Sequence, residues 1–267
     1  MAQIDKFSPQ KTRIEISDGA LIPEKEERAT FTAWRISLFG AIALLVLLPF
    51  VSPEPYRRII VFLPDGILQT FKVTVLSIIF SLIVGLFTGL GRISRIKIVN
   101  RIATVYVEVI RGIPLLVQLF YIYYALGKIV QVPRLVAAIT AMTVCYGAYL
   151  GEIFRAGIQA IPKGQMEAAL ALGMSRAQAM RRIILPQTFR VVLPPVGNEF
   201  IALLKDSSLV SILAVADLLR RGREFAAKTF YYFETYTVVA LVYLVLTLFF
   251  SKLVSLMEER LNRRGQH

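Results

Sequence analysis

Apolar positions along this chain fall into six long runs separated by short polar stretches. They cover about Trp34 to Val51, Ile67 to Leu90, Ile102 to Leu126, Leu135 to Ile158, Val191 to Val215 and Thr235 to Leu256. A helix crossing a bilayer needs about 20 mostly apolar residues at a rise of about 1.5 Å each. Runs of this length predict spanning helices, and the fifth is the most polar of them. In the second, Ser77, Ser81, Gly85 and Gly89 recur every fourth residue. Small residues at that spacing let helix backbones approach closely inside a membrane, so the stripe reads as packing rather than chemistry.

Composition agrees with this pattern. Of 267 residues 56% are hydrophobic and 18% charged, against about 45–50% and about 25% in soluble domains. The net charge of +13 would suit a nucleic-acid binder. The basic residues, however, sit in the loops between apolar runs, as in a polytopic protein with Lys and Arg on its cytoplasmic side. Arg92, Arg95, Lys97 and Arg101 follow the second run; Lys163, Arg176, Arg181, Arg182 and Arg190 follow the fourth; Arg260, Arg263 and Arg264 follow the sixth. Two runs separate each of these regions from the next, so all three share one side, expected to be cytoplasmic, with both termini. The loop carrying Arg220, Arg221, Arg223 and Lys228 goes against the rule; a surface helix there is one way to accommodate it. The first thirty residues hold both charges and no apolar core, so a polar cytoplasmic tail is expected rather than a cleavable signal peptide. Lone Cys145 lies in an apolar run and reads as a small core residue; with His267 it makes no metal cluster.

The stretch from Pro162 to Pro186 predicts two short helices. Lys163 to Leu172 holds strong helix formers, with Pro162 at its start and Gly173 as a left-handed cap. Ser175 and Gln178 form a capping box for a second helix, which Pro186 is expected to stop. A DNA-reading pair of helices has little place in a short loop between membrane spans; a docking element for a cytoplasmic partner fits better.

Glu167-Ala168-Ala169, Gly173 and Ile183-Ile184-Leu185-Pro186 match every fixed position of the EAA signature of ABC importer permeases, E-A-A-x3-G-x9-I-x-L-P. Arg111-Gly112-Ile113-Pro114-Leu115-Leu116-Val117-Gln118 resembles the R-G-T-P-L-L-V-Q run of polar amino-acid permeases of the histidine, glutamine and arginine type, departing at Ile113. Glu152 to Arg155 and Lys205 to Leu209 are similar to further family runs, and the resemblance covers about Asp65 to Leu256.

It implies an all-α integral membrane fold: a type I ABC importer (MetI-like) permease with five core transmembrane helices and one N-terminal transmembrane helix. The expected organisation is a cytoplasmic tail over 1–33, the extra helix over 34–51, a permease core over 65–257 with a coupling loop at 160–187, and a cytoplasmic tail over 258–267. The family partners are a dimer of ABC ATPases, a second permease subunit (identical or paralogous) and an external amino-acid-binding protein, in the plasma membrane of a bacterium. Glu167, Ala168, Ala169 and Gly173 would dock on the ATPase. The chain has no P-loop, G-x-x-x-x-G-K-[ST], so ATP and Mg belong to that partner, with no cofactor here and no nucleic acid.

Ionisable groups at membrane depth are costly and usually face a cavity or a partner. Glu108, Arg111 and Gln118 in the third run, and Asn198, Glu199, Lys205, Asp206 and Ser207 in the fifth, are the substrate-site candidates. Arg111 precedes Gly112 and Pro114, where a loosened helix frees backbone groups. It can clamp a substrate carboxylate in bidentate fashion, or else pair with Glu108 or Asp206 to hold helices in register. Lys205 and Asp206 lean towards neutralising partners on two helices, and Glu152 and Arg155 towards a gate or interfacial anchor. A secondary transporter or channel is the alternative class, though the inverted repeats common there are not evident. An enzyme would need a cluster of nucleophile, base or metal ligands.

Overall fold

A computed structural model describes residues 32–264, and every element among these described residues is helical. The expected N-terminal tail, up to residue 31, and the last three residues lie outside the described residues. The long helices are α1 (Ala33–Val51), α3 (Pro64–Arg92), α4 (Lys97–Gly112), α6 (Arg134–Gln159), α9 (Leu185–Asp206) and α11 (Tyr232–Arg264). Between them lie short helices: α2 (Pro53–Phe62), α5 (Leu115–Phe120), α7 (Lys163–Ala171), α8 (Arg176–Ala179) and α10 (Leu218–Thr229). Four stretches are long and apolar enough to cross a membrane: Ala33–Val51, Pro53–Arg92, Arg134–Gln159 and Tyr232–Leu261. Lys97–Gly112 and Leu115–Ala125, bent by 104°, pass the same test together and count as a fifth if taken as one broken span rather than a re-entrant loop. Helix α9, taken from sequence as a span, has the length but not the apolarity of these, because prolines and charged residues interrupt it.

The third apolar run is therefore not one helix. The residue before a proline is pushed to extended backbone, and Ile113 (φ −110°, ψ 128°) and Pro114 (φ −56°, ψ 139°) break it. Nor does Pro186 stop the second loop helix. Residues 180–184 form a π-turn in which the Leu185 amide donates to the Met180 carbonyl, and the chain runs on into α9 with Pro186 in its first turn. The wider turn makes room for a ring that would otherwise strike the carbonyl four residues back.

Helices α3 and α6 run parallel at the centre of the fold. The stripe predicted from sequence is their seam: Ser77 and Ser81 are buried, and Ser81 Oγ donates to the Thr143 carbonyl at 3.4 Å. A Cβ built on Gly85 would stand 2.6 Å from Leu150 Cβ, one on Gly89 2.7 Å from Phe154 Cβ, and one on Gly151 2.7 Å from Thr88 Cγ2. Helix α9 packs antiparallel on α6 and α11 antiparallel on α9, where Phe200 and Phe250 meet edge to face at 4.9 Å. Helix α1 lies outside this core on α11, where Trp34 Nε1 donates to the Leu248 carbonyl at 2.9 Å.

The basic loop before α11 is helix α10. Its first turn is capped by buried Asp217, which accepts from the Leu219 and Arg220 amides at 3.1 Å each. Burial pushes the Asp217 carboxyl up to about 7, against the pull of those amides. Arg220 pairs with Glu224 at 2.8 Å and Arg221 with Asp65 at 3.3 Å. Part of the charge that opposed the positive-inside pattern is thus matched locally. The unforeseen α2 packs beside α10, with the Phe62 and Phe225 rings 5.5 Å apart.

Gly85→Leu is expected to wedge the central seam apart, since overpacking a tight contact costs about 1–3 kcal/mol or more. Size-exclusion yield and melting temperature of the purified protein should both drop. Gly40→Leu, with nothing within 4 Å of its added Cβ, serves as the matched control and should change neither.

Candidate functional site

The break at Ile113–Pro114 opens a cavity of about 500 Å³ between α4, α5, α6 and α9. Its polar lining is Arg111 from the end of α4, Tyr146 and Tyr149 from α6, and Glu199 and Asp206 from α9. The Arg111 guanidinium lies over the Tyr149 ring, 5.1 Å from its centre, an attractive placement for a cation on a π face. Tyr146 Oη donates to Asp206 Oδ2 at 2.8 Å. Among the described residues no ion pair within 4.0 Å joins Arg111 to Glu199 or to Asp206. One cation and two carboxylates thus face a shared space without closing on each other.

The other candidates fall elsewhere. Glu108 is exposed and makes no ion pair with Arg111, whose side chain, at the end of α4, turns onto Tyr149 instead. Asn198 and Lys205 are exposed and do not line the cavity; successive residues on a helix diverge by about 100°, so Glu199 and Asp206 face in while their neighbours face away. Ser207 is buried and its Oγ donates to the Leu204 carbonyl at 2.7 Å. Gln118 is buried under the break, and its Nε2 donates to the Ile110 and Ile113 carbonyls at 2.8 Å each. It is the side-chain donor to the Ile113 carbonyl at the break and a second donor to the Ile110 carbonyl, which also accepts from the Ile113 amide at 3.4 Å. Tyr146 and Tyr149 were missed in the sequence, where they look like ordinary aromatics of an apolar run; their three-residue spacing on one helix face was the available signal.

Glu152 ties the ends of α3 and α6 together through Arg92 of α3, and within α6 it accepts from Arg155 Nε at 3.0 Å. The pair with Arg92 is an interhelical tie. Beyond it, at the same end of the molecule, lies the loop of α7 and α8. Gly173 takes φ +82°, and the Met174 amide donates back to the Ala169 carbonyl at 3.1 Å, closing the end of α7. The predicted capping box is present in both halves, Gln178 N to Ser175 Oγ at 3.2 Å and Ser175 N to Gln178 Oε1 at 2.8 Å. Glu167, Ala168 and Gly173 are exposed, whereas Ala169 is buried and seats α7 on the loop's own core. Leu172, at the tip, is 83% exposed, an apolar side chain left uncovered beside the glycine.

The model for binding-protein-dependent transport system inner membrane components matches residues 81–264. The chain belongs to that family. The permease is 40% identical to the probable amino-acid permease protein YxeN of Bacillus subtilis (strain 168), over 73% of this chain and 88% of that protein. It is 38% identical to the glutamine transport system permease protein GlnP of Escherichia coli (strain K12), over 74% of this chain and 91% of GlnP. A crystal structure of an amino acid ABC transporter with histidines is similar at 44% identity and a TM-score of 0.72, covering 79% of this chain and 98% of that one. The all-α membrane-permease fold expected from the EAA signature is the one found, and α1 and α2 precede the matched region.

Gln118→Leu should leave the Ile110 and Ile113 carbonyls without their side-chain donor. The Ile110 carbonyl keeps the Ile113 amide at 3.4 Å, and losing one such hydrogen bond costs about 0.5–1.5 kcal/mol net, so the melting temperature of the permease is expected to fall by a few degrees. An unchanged transition would mean that the break is held by something other than this amide.

Proposed function

We propose that the chain is the permease subunit of an ATP-driven importer of polar amino acids, with the cavity around Arg111 on the translocation path. The carrying observation is the continuity of the chain from loop to cavity. From Arg176 the backbone stays helical through α8 and the π-turn into α9, which delivers Glu199 and Asp206. At about 1.5 Å per residue, the 22 residues of α9 span about 33 Å. A push on the loop would move the two carboxylates relative to Arg111, which sits on a different helix.

The push would come from a dimer of ABC ATPases in the cytoplasm, which hydrolyse MgATP; this chain supplies no part of that chemistry. Glu167, Ala168 and Gly173 offer a charged, close-fitting surface, and Leu172 adds an apolar knob. A second permease subunit would complete the path, and an external binding protein would deliver substrate at the opposite face. The loop end, with both termini, would lie in the cytoplasm of a bacterial cell whose inner membrane holds the helices. On closure of the ATPases the core would change from inward-open to outward-open. Arg111 would receive the substrate α-carboxylate with its forked donors.

Gly173→Leu forces a side chain into φ +82°, at a cost of about 1–3 kcal/mol, and alters the docking tip. Uptake and substrate-stimulated ATPase activity of the assembled transporter are expected to fall together while the permease still inserts. Normal transport in that variant would remove this loop from coupling.

Arg111→Ala is expected to abolish uptake in proteoliposomes with complex yield retained, and Arg111→Lys to keep a fraction, since an ammonium lacks the planar fork. Because Glu108 does not pair with Arg111, adding Glu108→Ala should restore nothing. Recovery of assembly and transport in the double variant would make Arg111 a helix tether instead.

A further inference from the structure

We infer that the cavity between α4, α6 and α9 selects amino acids with a cationic side chain, as lysine and arginine have, over neutral and acidic ones. The inference rests on the proposed reading of the cavity as a substrate site. It comes from the balance of charge there. Glu199 and Asp206 both line the space, and Arg111 is the only basic side chain among its lining residues. Lys205, the nearest basic residue in sequence, is exposed and turned away. The next carboxylate along α6, Glu152, is paired with Arg92 and Arg155, and none of the three lines the cavity. Among the described lining residues, two carboxylates thus stand against one guanidinium, an excess of one negative charge.

A neutral amino acid brings a carboxylate and an ammonium, and leaves that negative charge unmatched. An acidic one adds a second. An amino acid with a cationic side chain brings the one extra positive charge the cavity lacks, and charges removed from water are tolerated when paired. The geometry separates the roles. Arg111, stacked on Tyr149, keeps the edge of its guanidinium for a carboxylate. Asp206 is held in place by the Tyr146 hydroxyl at 2.8 Å, while Glu199 makes no ion pair within 4.0 Å among the described residues and faces the same space. The ammonium and the side-chain cation then have a carboxylate each. Neither carboxylate closes an ion pair with Arg111, so the three sites are open together.

The test is equilibrium binding of radiolabelled lysine, arginine, glutamine and glutamate to the purified permease–ATPase complex, without a binding protein to impose its own selectivity. Lysine and arginine are expected to bind about tenfold or more tighter than glutamine, with glutamate weakest, since one unmatched charge at such a site is worth at least a tenfold change. Glu199→Gln should reduce the lysine-to-glutamine ratio about tenfold and Glu199→Asp should largely keep it; Asp206→Asn is read the same way if the first variant fails to assemble. Glutamine or glutamate binding as tightly as lysine, or a ratio indifferent to both neutralisations, overturns the selectivity. A wild-type complex that binds no amino acid, together with normal uptake by Arg111→Ala, overturns the underlying cavity reading instead.

Discussion

The close seam between α3 and α6 is the contact on which the other helices are arranged. Membrane helices gain little from hydrophobic burial against one another, because lipid is equally apolar, and depend on intimate packing. Here glycines stand on both sides of the seam, with Gly85 and Gly89 against Leu150 and Phe154, and Gly151 against Thr88. The approach fixes the axial register of the two helices, and the register sets the rest. It brings Arg92 level with Glu152 at one end. Further along α6 it leaves Tyr146 and Tyr149 facing the gap where α4 breaks. Helices α9 and α11 are layered on this pair, and α1 is applied last, against α11.

Two devices near prolines then turn a packed bundle into something with a working interior. At Pro114 the helix stops and turns, Gln118 donates to two carbonyls at the break, and a space is left. At Pro186 the chain solves the same steric problem in the opposite way, by widening one turn and continuing. The first device makes a cavity; the second makes α9 mechanically continuous with the exposed loop. Two carboxylates on α9 are thereby linked to the exposed Gly173 turn, while the guanidinium opposite them belongs to a separate helix.

Much of this was legible in the residues. Spanning runs announce themselves because a bilayer imposes a length and an apolarity. The Ser77, Ser81, Gly85, Gly89 stripe announces a close helix contact because no other role needs four small residues on one face. Gly173, Ser175 and Gln178 dictate a turn and a cap through local backbone chemistry alone, and the EAA signature gives the family from spacing. Arg111 stood out because a guanidinium is expensive at membrane depth. Helix α10 was foreshadowed by basic residues that did not suit a bare loop.

What the residues could not settle was decided by packing in three dimensions. Pro186 reads as a stop, and only the π-turn accommodated against α9 shows the chain running through it. Glu108 and Arg111, three apart on one helix, leave pairing open as one alternative, yet the guanidinium lies over the ring of Tyr149 on another helix. Gln118, Asn198 and Ser207 read as candidates beside Glu199, and Lys205 and Asp206 as a pair leaning towards structure, because sequence gives polarity but not the rotation of each helix against its neighbours. Tyr146 and Tyr149 drew no notice for the same reason. Period and composition fix what a helix must be buried in; which face meets which depends on interlocking across segments far apart in the chain, and that information exists only once they are packed.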